Sequence, residues 1–305
     1  MAPTLLFAGL GNMGRAMSKN LVEKGNLSGP LLVYNRSTKR ATDLSAALAP
    51  GKTKVVESLP EGVADADIIF SCLANDQAVQ DYIGQAAKGD IKGKLFVECS
   101  TIHPDVTEEV ARTILAAGAE FVAAPVFGAP SAADAGQLII LLAGPAASVE
   151  KVRPYCKGVM GKAEIDLSDQ PYGKATTIKV LGNGMILGMV EQVAEAHVAA
   201  EKSGIHHDII HNLIQGLFGG PGGAYSDRMR TGDYYTRDEP LFGVDLARKD
   251  ARHAKSIAAA AGTTLPICEI ADGHLAKVKE YCGSKGDIAG IYGIVRMEAG
   301  LPFKN

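Results

Sequence analysis

The sequence predicts an α/β N-terminal domain, doubly wound around a mostly parallel sheet, followed by a long interdomain helix and an all-α C-terminal domain. Three observations predict it. Short apolar runs alternate with amphipathic stretches of helical length through the first half of the chain, which is the pattern of repeated strand–helix units. A glycine-rich turn joins the first such run to the first such stretch. Beyond residue 170 the apolar runs stop, and only helical segments remain.

The apolar runs lie at 4–10, 31–35, 67–73, 95–101, 120–126 and 138–143. Several are almost wholly apolar, as strands buried on both faces of a parallel sheet must be. Segments 14–24, 76–87 and 105–117 between them have helical length. From 172 to 203 the chain reads as one long helix rich in small residues, with Gly182, Gly184 and Gly188 along it. Helical segments follow at 207–217, 247–261, 267–279 and 287–299, and Phe218-Gly219-Gly220-Pro221-Gly222-Gly223 reads as a flexible loop. The expected boundary is at 165–172, giving domains 1–168 and 169–305.

Composition narrows the function classes. The 305 residues suffice for two domains, and 47% hydrophobic with 21% charged residues is ordinary for a globular protein. A net charge of -3 without a basic run gives no footprint for nucleic acid. No apolar stretch reaches the length of a membrane span. The first strand-like run begins at about residue 4, so no signal or transit peptide is expected. The five cysteines, Cys72, Cys99, Cys156, Cys268 and Cys282, include no CxxC pair and read as reduced thiols. The expected location is the cytoplasm.

Gly9-Leu10-Gly11-Asn12-Met13-Gly14 is a G-x-G-x-x-G loop directly after a strand and directly before a helix. The first glycine permits the tight turn and the second lets a pyrophosphate approach the backbone. The third lets helix and strand pack closely, so the helix N-terminal amides face the phosphates. A glycine turn in some other α/β fold is the competing account; the strand before and the helix after favour a dinucleotide-binding Rossmann domain. The end of the second run chooses the cofactor. NAD enzymes usually place a carboxylate there for the ribose hydroxyls. This chain has Asn35-Arg36-Ser37-Thr38 instead. Arg36 can pair with a 2′-phosphate through a charge-assisted fork, with Asn35, Ser37 and Thr38 as donors. NADP(H) is expected; a solvated surface charge is the competing account of Arg36.

Lys179 and Asn183 are four apart on the long helix and so share a face. Spacing leaves two accounts of Lys179: a lysine snorkelling from a buried face, or a general acid and base at a carbonyl or alcohol.

The order of motifs resembles the β-hydroxyacid dehydrogenase family, within the 6-phosphogluconate dehydrogenase superfamily. After the glycine loop come Leu73-Ala74-Asn75-Asp76 and Cys99-Ser100-Thr101-Ile102-His103-Pro104. Ala124-Pro125-Val126-Phe127-Gly128-Ala129 follows, then Lys179-Val180-Leu181-Gly182-Asn183 and Leu246-Ala247-Arg248-Lys249-Asp250. The resemblance covers essentially the whole chain. It implies that Lys179 is the catalytic lysine and Asn183 its companion, and that Leu73, Ala74, Thr101 and Lys249 contact the cofactor. Ser100, Phe127, Gly128 and Ala129 are implied at the substrate. It also implies an active site in the cleft between domains, a small-molecule carbonyl or hydroxyacid substrate, and a homodimer, with a tetramer left open.

Two departures from the family pattern stand out. Members acting on small hydroxyacids usually carry Ser-Gly-Gly where this chain has Phe127, Gly128 and Ala129. If Phe127 faces the pocket, the substrate is bulkier or less polar; if it turns into the core, the Gly128 and Ala129 amides still bind an anion. Gly182 replaces a common first asparagine. Reduction of imines is therefore a competing activity, although imine reductases generally replace the lysine. A non-catalytic dehydrogenase-like module ranks third, because Lys179, Asn183 and Lys249 are all present. His207 and His211 have a metal-binding spacing but no evident third ligand, so no metal is expected. His103 either borders the site or caps the next helix with Pro104 at its first position.

Overall fold

The computed structural model describes residues 2–305 and divides into two compact units, Met1–Lys179 and Val180–Asn305. In the first, the elements in order are β1 (Leu5–Ala8), α1 (Asn12–Lys24), β2 (Leu31–Tyr34), α2 (Thr38–Ala47), β3 (Thr53–Val55), α3 (Leu59–Asp65), β4 (Ile68–Ser71), α4 (Asp76–Ala86), β5 (Leu95–Glu98) and α5 (Pro104–Ala116). There follow β6 (Glu120–Ala123), β7 (Val126–Phe127), α6 (Pro130–Asp134), β8 (Leu138–Gly144), α7 (Ala146–Val152) and β9 (Gly161–Ser168). The sheet runs β3-β2-β1-β4-β5-β6-β8-β7, with β9 on β8. The first six strands pair in parallel in the order of a dinucleotide-binding sheet, and β8 turns antiparallel to β6 and β7.

The period-two pleat splits each central strand between two apolar layers. Leu5, Phe7, Ile68, Phe70, Leu95 and Val97 pack into one layer; Leu6, Ala8, Ile69, Phe96 and Phe121 pack into the other. Both faces are therefore dry, which is why these strands read as unbroken apolar runs. The runs at 4–10, 31–35, 67–73, 95–101 and 138–143 contain β1, β2, β4, β5 and β8. The run at 120–126 is broken by Pro125, whose missing amide ends β6 before β7 begins. β3 and β9 lie outside the predicted runs. β3 is a three-residue strand with no fully buried side chain, and β9 carries Lys162, Glu164 and Asp166, so neither is a run of apolar residues.

α8 (Gly173–Lys202) is one unbroken 30-residue helix that begins in the first unit and continues through the second. Its start is held on α5: Thr176 Oγ1 lies 2.9 Å from Thr107 Oγ1, and Gly173 N donates to Glu108 Oε1 at 2.8 Å. In the second unit α9 (His207–Phe218), α10 (Gly220–Arg230), α11 (Asp233–Thr236), α12 (Val244–Ala260), α13 (Pro266–Cys282) and α14 (Ile291–Glu298) complete the helical domain. Val180, Leu187, Val190, Ala194 and Val198 of α8 recur at helical spacing into its core, beside Ala247, Ala251 and Ala254 of α12 and Ala271, Leu275 and Val278 of α13. The stretch 218–223, expected to be a loop, is mostly helical: Phe218 ends α9, Gly219 makes the turn, and 220–223 open α10 with Pro221 in the first turn. No helix of the described residues is long and apolar enough to cross a membrane.

Candidate active site

The glycine loop joins β1 to α1. Gly9 has φ +91°, and a Cβ there would lie 2.4 Å from the Cys72 carbonyl oxygen; a Cβ on Gly14 would lie 1.9 Å from the Gly9 carbonyl oxygen. Neither position admits a side chain. A Cβ on Gly11, in contrast, would meet no protein atom within 4 Å, and Gly11 is the N-cap of α1. The loop is thus closed toward the protein and open at the helix N-terminus, as a pyrophosphate requires, and it fits a dinucleotide. Asn35 ties this loop to the end of β2: its Oδ1 accepts from Leu10 N at 2.9 Å and its Nδ2 donates to Ser37 O at 3.1 Å. Arg36 and Ser37 are exposed beside it, and Asn12 and Met13 begin α1.

Two further loops leave the carboxyl ends of β4 and β5. Leu73 N donates to Ser100 Oγ at 2.7 Å. Ser100 is buried, Thr101 and Leu73 are half-buried, and Ala74 is exposed. Between the strands lies Glu98, only 2% exposed, which accepts from Ser71 Oγ at 2.6 Å and Ser100 N at 2.7 Å. Burial pushes its carboxyl up to about 6, against the lowering effect of the serine hydrogen bonds. His103 caps α5, its Nδ1 accepting from Asp105 N, with Pro104 in the first turn.

Lys179 is 7% exposed, so it does not reach out to solvent. Its Nζ stands 4.3 Å from the centroid of the Phe127 ring. Phe127 also packs against the apolar layer formed by Phe121, Leu141 and their neighbours. One ring therefore touches both the core, one of the two surroundings the sequence left open, and the lysine. Gly128 follows with φ +145°, and a Cβ there would lie 2.6 Å from Leu138 Cδ2. Gly128 and Ala129 are exposed.

In the second unit, Asn183 Nδ2 donates to Asp250 Oδ2 at 2.7 Å, and Lys249 Nζ lies 3.2 Å from Asp250 Oδ1. All three residues are buried. Asp250 had been given no role by sequence reading. Its signal was a carboxylate on the helix face that carries Ala247, Ala251 and Ala254, where a charge needs partners. His206, His207 and Asp208 form an exposed group whose ligand atoms lie within 4.8 Å of one another, whereas His211 Nδ1 pairs with Ser226 Oγ at 2.9 Å.

Comparison with known proteins accords with this geometry. Residues 4–166 match the NAD-binding domain of 6-phosphogluconate dehydrogenase, and residues 173–295 match the NAD-binding domain of NADP-dependent 3-hydroxyisobutyrate dehydrogenase. The chain is 39% identical to the NADH-dependent oxidoreductase ucdB of Aspergillus ustus, over 95% of this chain and 98% of that protein. It is 29% identical to a probable 3-hydroxyisobutyrate dehydrogenase of Mycobacterium tuberculosis, over 87% of this chain and 88% of that protein. Among solved structures it resembles Mycobacterium tuberculosis 3-hydroxyisobutyrate dehydrogenase with L-serine, at TM-score 0.81 and 26% identity over 97% of this chain and 100% of that one. The fold and site define a nicotinamide-cofactor oxidoreductase, a Rossmann domain followed by a helical domain. The chain belongs to the β-hydroxyacid dehydrogenase family.

Proposed function

We propose that the protein catalyses reversible hydride transfer between NADP(H) and a small aldehyde, keto acid or hydroxyacid, with Lys179 as the general acid and base. The observation that carries this reading is the buried Lys179 ammonium held 4.3 Å from the Phe127 ring, rather than spent in solvent. When bound, the nicotinamide supplies the hydride to the carbonyl carbon, and the electron pair leaves the C=O bond for oxygen. Lys179 gives that oxygen its proton, and takes it back in the oxidative direction. Asn183, aimed by Asp250, orients the substrate oxygen, and Phe127, Gly128 and Ala129 line the substrate. Gly9, Leu10, Gly11, Asn12, Met13 and Gly14 hold the pyrophosphate; Leu73, Ala74, Thr101 and Lys249 flank the rest of the cofactor.

Arg36, with Asn35 and Ser37, is the basis for preferring NADPH, since its exposed guanidinium suits a 2′-phosphate. The relative from Aspergillus ustus is named for NADH, so kcat/KM with both cofactors is the deciding measurement. A clear preference for NADH would overturn the NADP assignment. The Phe127 ring also favours a second reading, a less polar substrate such as a cyclic imine. NADPH oxidation with succinic semialdehyde, glyoxylate and a cyclic imine separates the two; tight NADPH binding with no turnover on any of them would favour a non-catalytic module. We further read the protein as cytoplasmic and as a homodimer, the dimer supported by the exposed row of Ile209, Leu213 and Leu217 on α9. Light scattering that returned a monomer would contradict the dimer.

A further inference from the structure

Ser71 and Glu98 are registered partners at the carboxyl ends of the central strands β4 and β5. This is the end of an open α/β sheet where ligands bind. A carboxylate this deeply buried is costly unless its lone pairs are filled. Two donors at hydrogen-bond distance fill them: the Ser71 hydroxyl at 2.6 Å and the Ser100 amide at 2.7 Å. An ionised carboxylate only accepts, so the Ser71 hydroxyl proton is committed to Glu98. Ser100 joins the two loops: its backbone amide donates to Glu98 at 2.7 Å, and its Oγ accepts from the Leu73 amide at 2.7 Å.

We infer that Glu98 is a positioning residue for the dinucleotide: acting through Ser71 and Ser100, it fixes the loops that carry Leu73, Ala74 and Thr101 in the geometry that receives the cofactor. The inference rests on the reading that those loops contact the cofactor. Glutamine has nearly the same shape but carries no charge, and it has one carbonyl oxygen where the carboxylate accepts from the Ser71 hydroxyl and the Ser100 amide on two. The other titratable groups facing Glu98 are the buried Tyr82 hydroxyl of α4 and the Cys99 thiol, both pushed up by burial first and by Glu98 among their neighbours. With Glu98 at about 6, those two groups stay neutral while Glu98 alone changes charge on mild acidification.

The test is fluorescence titration of NADPH and of NADH into wild type, Glu98→Gln and Ser100→Ala. At pH 7.5 both variants should bind the preferred cofactor about 10-fold more weakly or worse, the scale of one buried group left unsatisfied. Between pH 7.5 and 5.5 wild-type affinity should fall, while Glu98→Gln, measured with the same ligand, should lack that component. Should Glu98→Gln not fold, Ser100→Ala keeps the carboxylate, removes the link to Leu73, and carries the test. Variants that bind within twofold of wild type would overturn the role of Glu98. A wild type that binds neither cofactor would overturn the cofactor reading itself, and the inference with it.

Discussion

The Lys179 ammonium and the Phe127 ring face each other at 4.3 Å in a nearly dry environment. An ammonium over an aromatic face gains about 0.5–2 kcal/mol, more when desolvated. One of the residues that depart from the usual hydroxyacid pattern therefore touches the proposed proton donor.

Replacing that ring should move substrate preference. Phe127→Ser restores a hydroxyl where the family usually has one and removes an apolar wall. The ratio of kcat/KM for glyoxylate over an apolar aldehyde of similar size should rise by about 10-fold or more. An unchanged ratio would show that Phe127 does not select the substrate.

On the proposed reading, cofactor choice turns on Arg36. Arg36→Ala should weaken NADPH binding by about 10- to 100-fold, the loss of a charge-assisted contact, and leave NADH binding within about twofold. Equal losses for the two cofactors would place Arg36 away from the 2′-phosphate.

Asp250 holds Asn183 and Lys249 in one buried group. Asp250→Ala leaves a buried lysine without this carboxylate and should destabilise the protein by about 3–5 kcal/mol, seen as a lower urea midpoint. Asp250→Asn keeps the shape and should cost less stability. It should still lower kcat, because Asn183 loses its charged anchor. Full activity in Asp250→Asn would remove Asp250 from the account.

His197 of α8 is buried, with Nε2 2.7 Å from Ser226 Oγ. Burial first, then the neighbouring His211, His207 and Arg230, lowers it from 6.5 to about 4. The unfolded chain therefore binds the proton more readily between these values, and stability falls as pH drops from 6.5 to 4. The expected loss from this residue is about 3 kcal/mol. Denaturation of wild type and His197→Gln across this range should show a shallower acid loss in the variant; parallel curves would refute the assignment.

What the sequence made legible follows from what each residue has to do. Gly9 and Gly14 admit no side chain, so the loop is written in residue types as well as in structure. The central strands are dry on both faces and read as apolar runs. β9 lies beside β8 alone and keeps Lys162, Glu164 and Asp166, so its pairing is invisible to an apolar pattern. The glycines at 219–223 suggested a loop, yet once Gly219 has made the turn the rest are carried in a helix packed on α9. The contact between Phe127 and Lys179 spans 52 positions of the chain, which no local pattern encodes. Glu98 and Asp250 are ordinary acidic residues until the fold buries them among donors.

The central claim is that Lys179 supplies the proton while other residues hold the cofactor. Single-turnover kinetics and cofactor titration of Lys179→Ala test it together. The account predicts NADPH affinity within about twofold of wild type and kcat reduced at least about 100-fold. A variant that binds NADPH normally and turns over at the wild-type rate would contradict it.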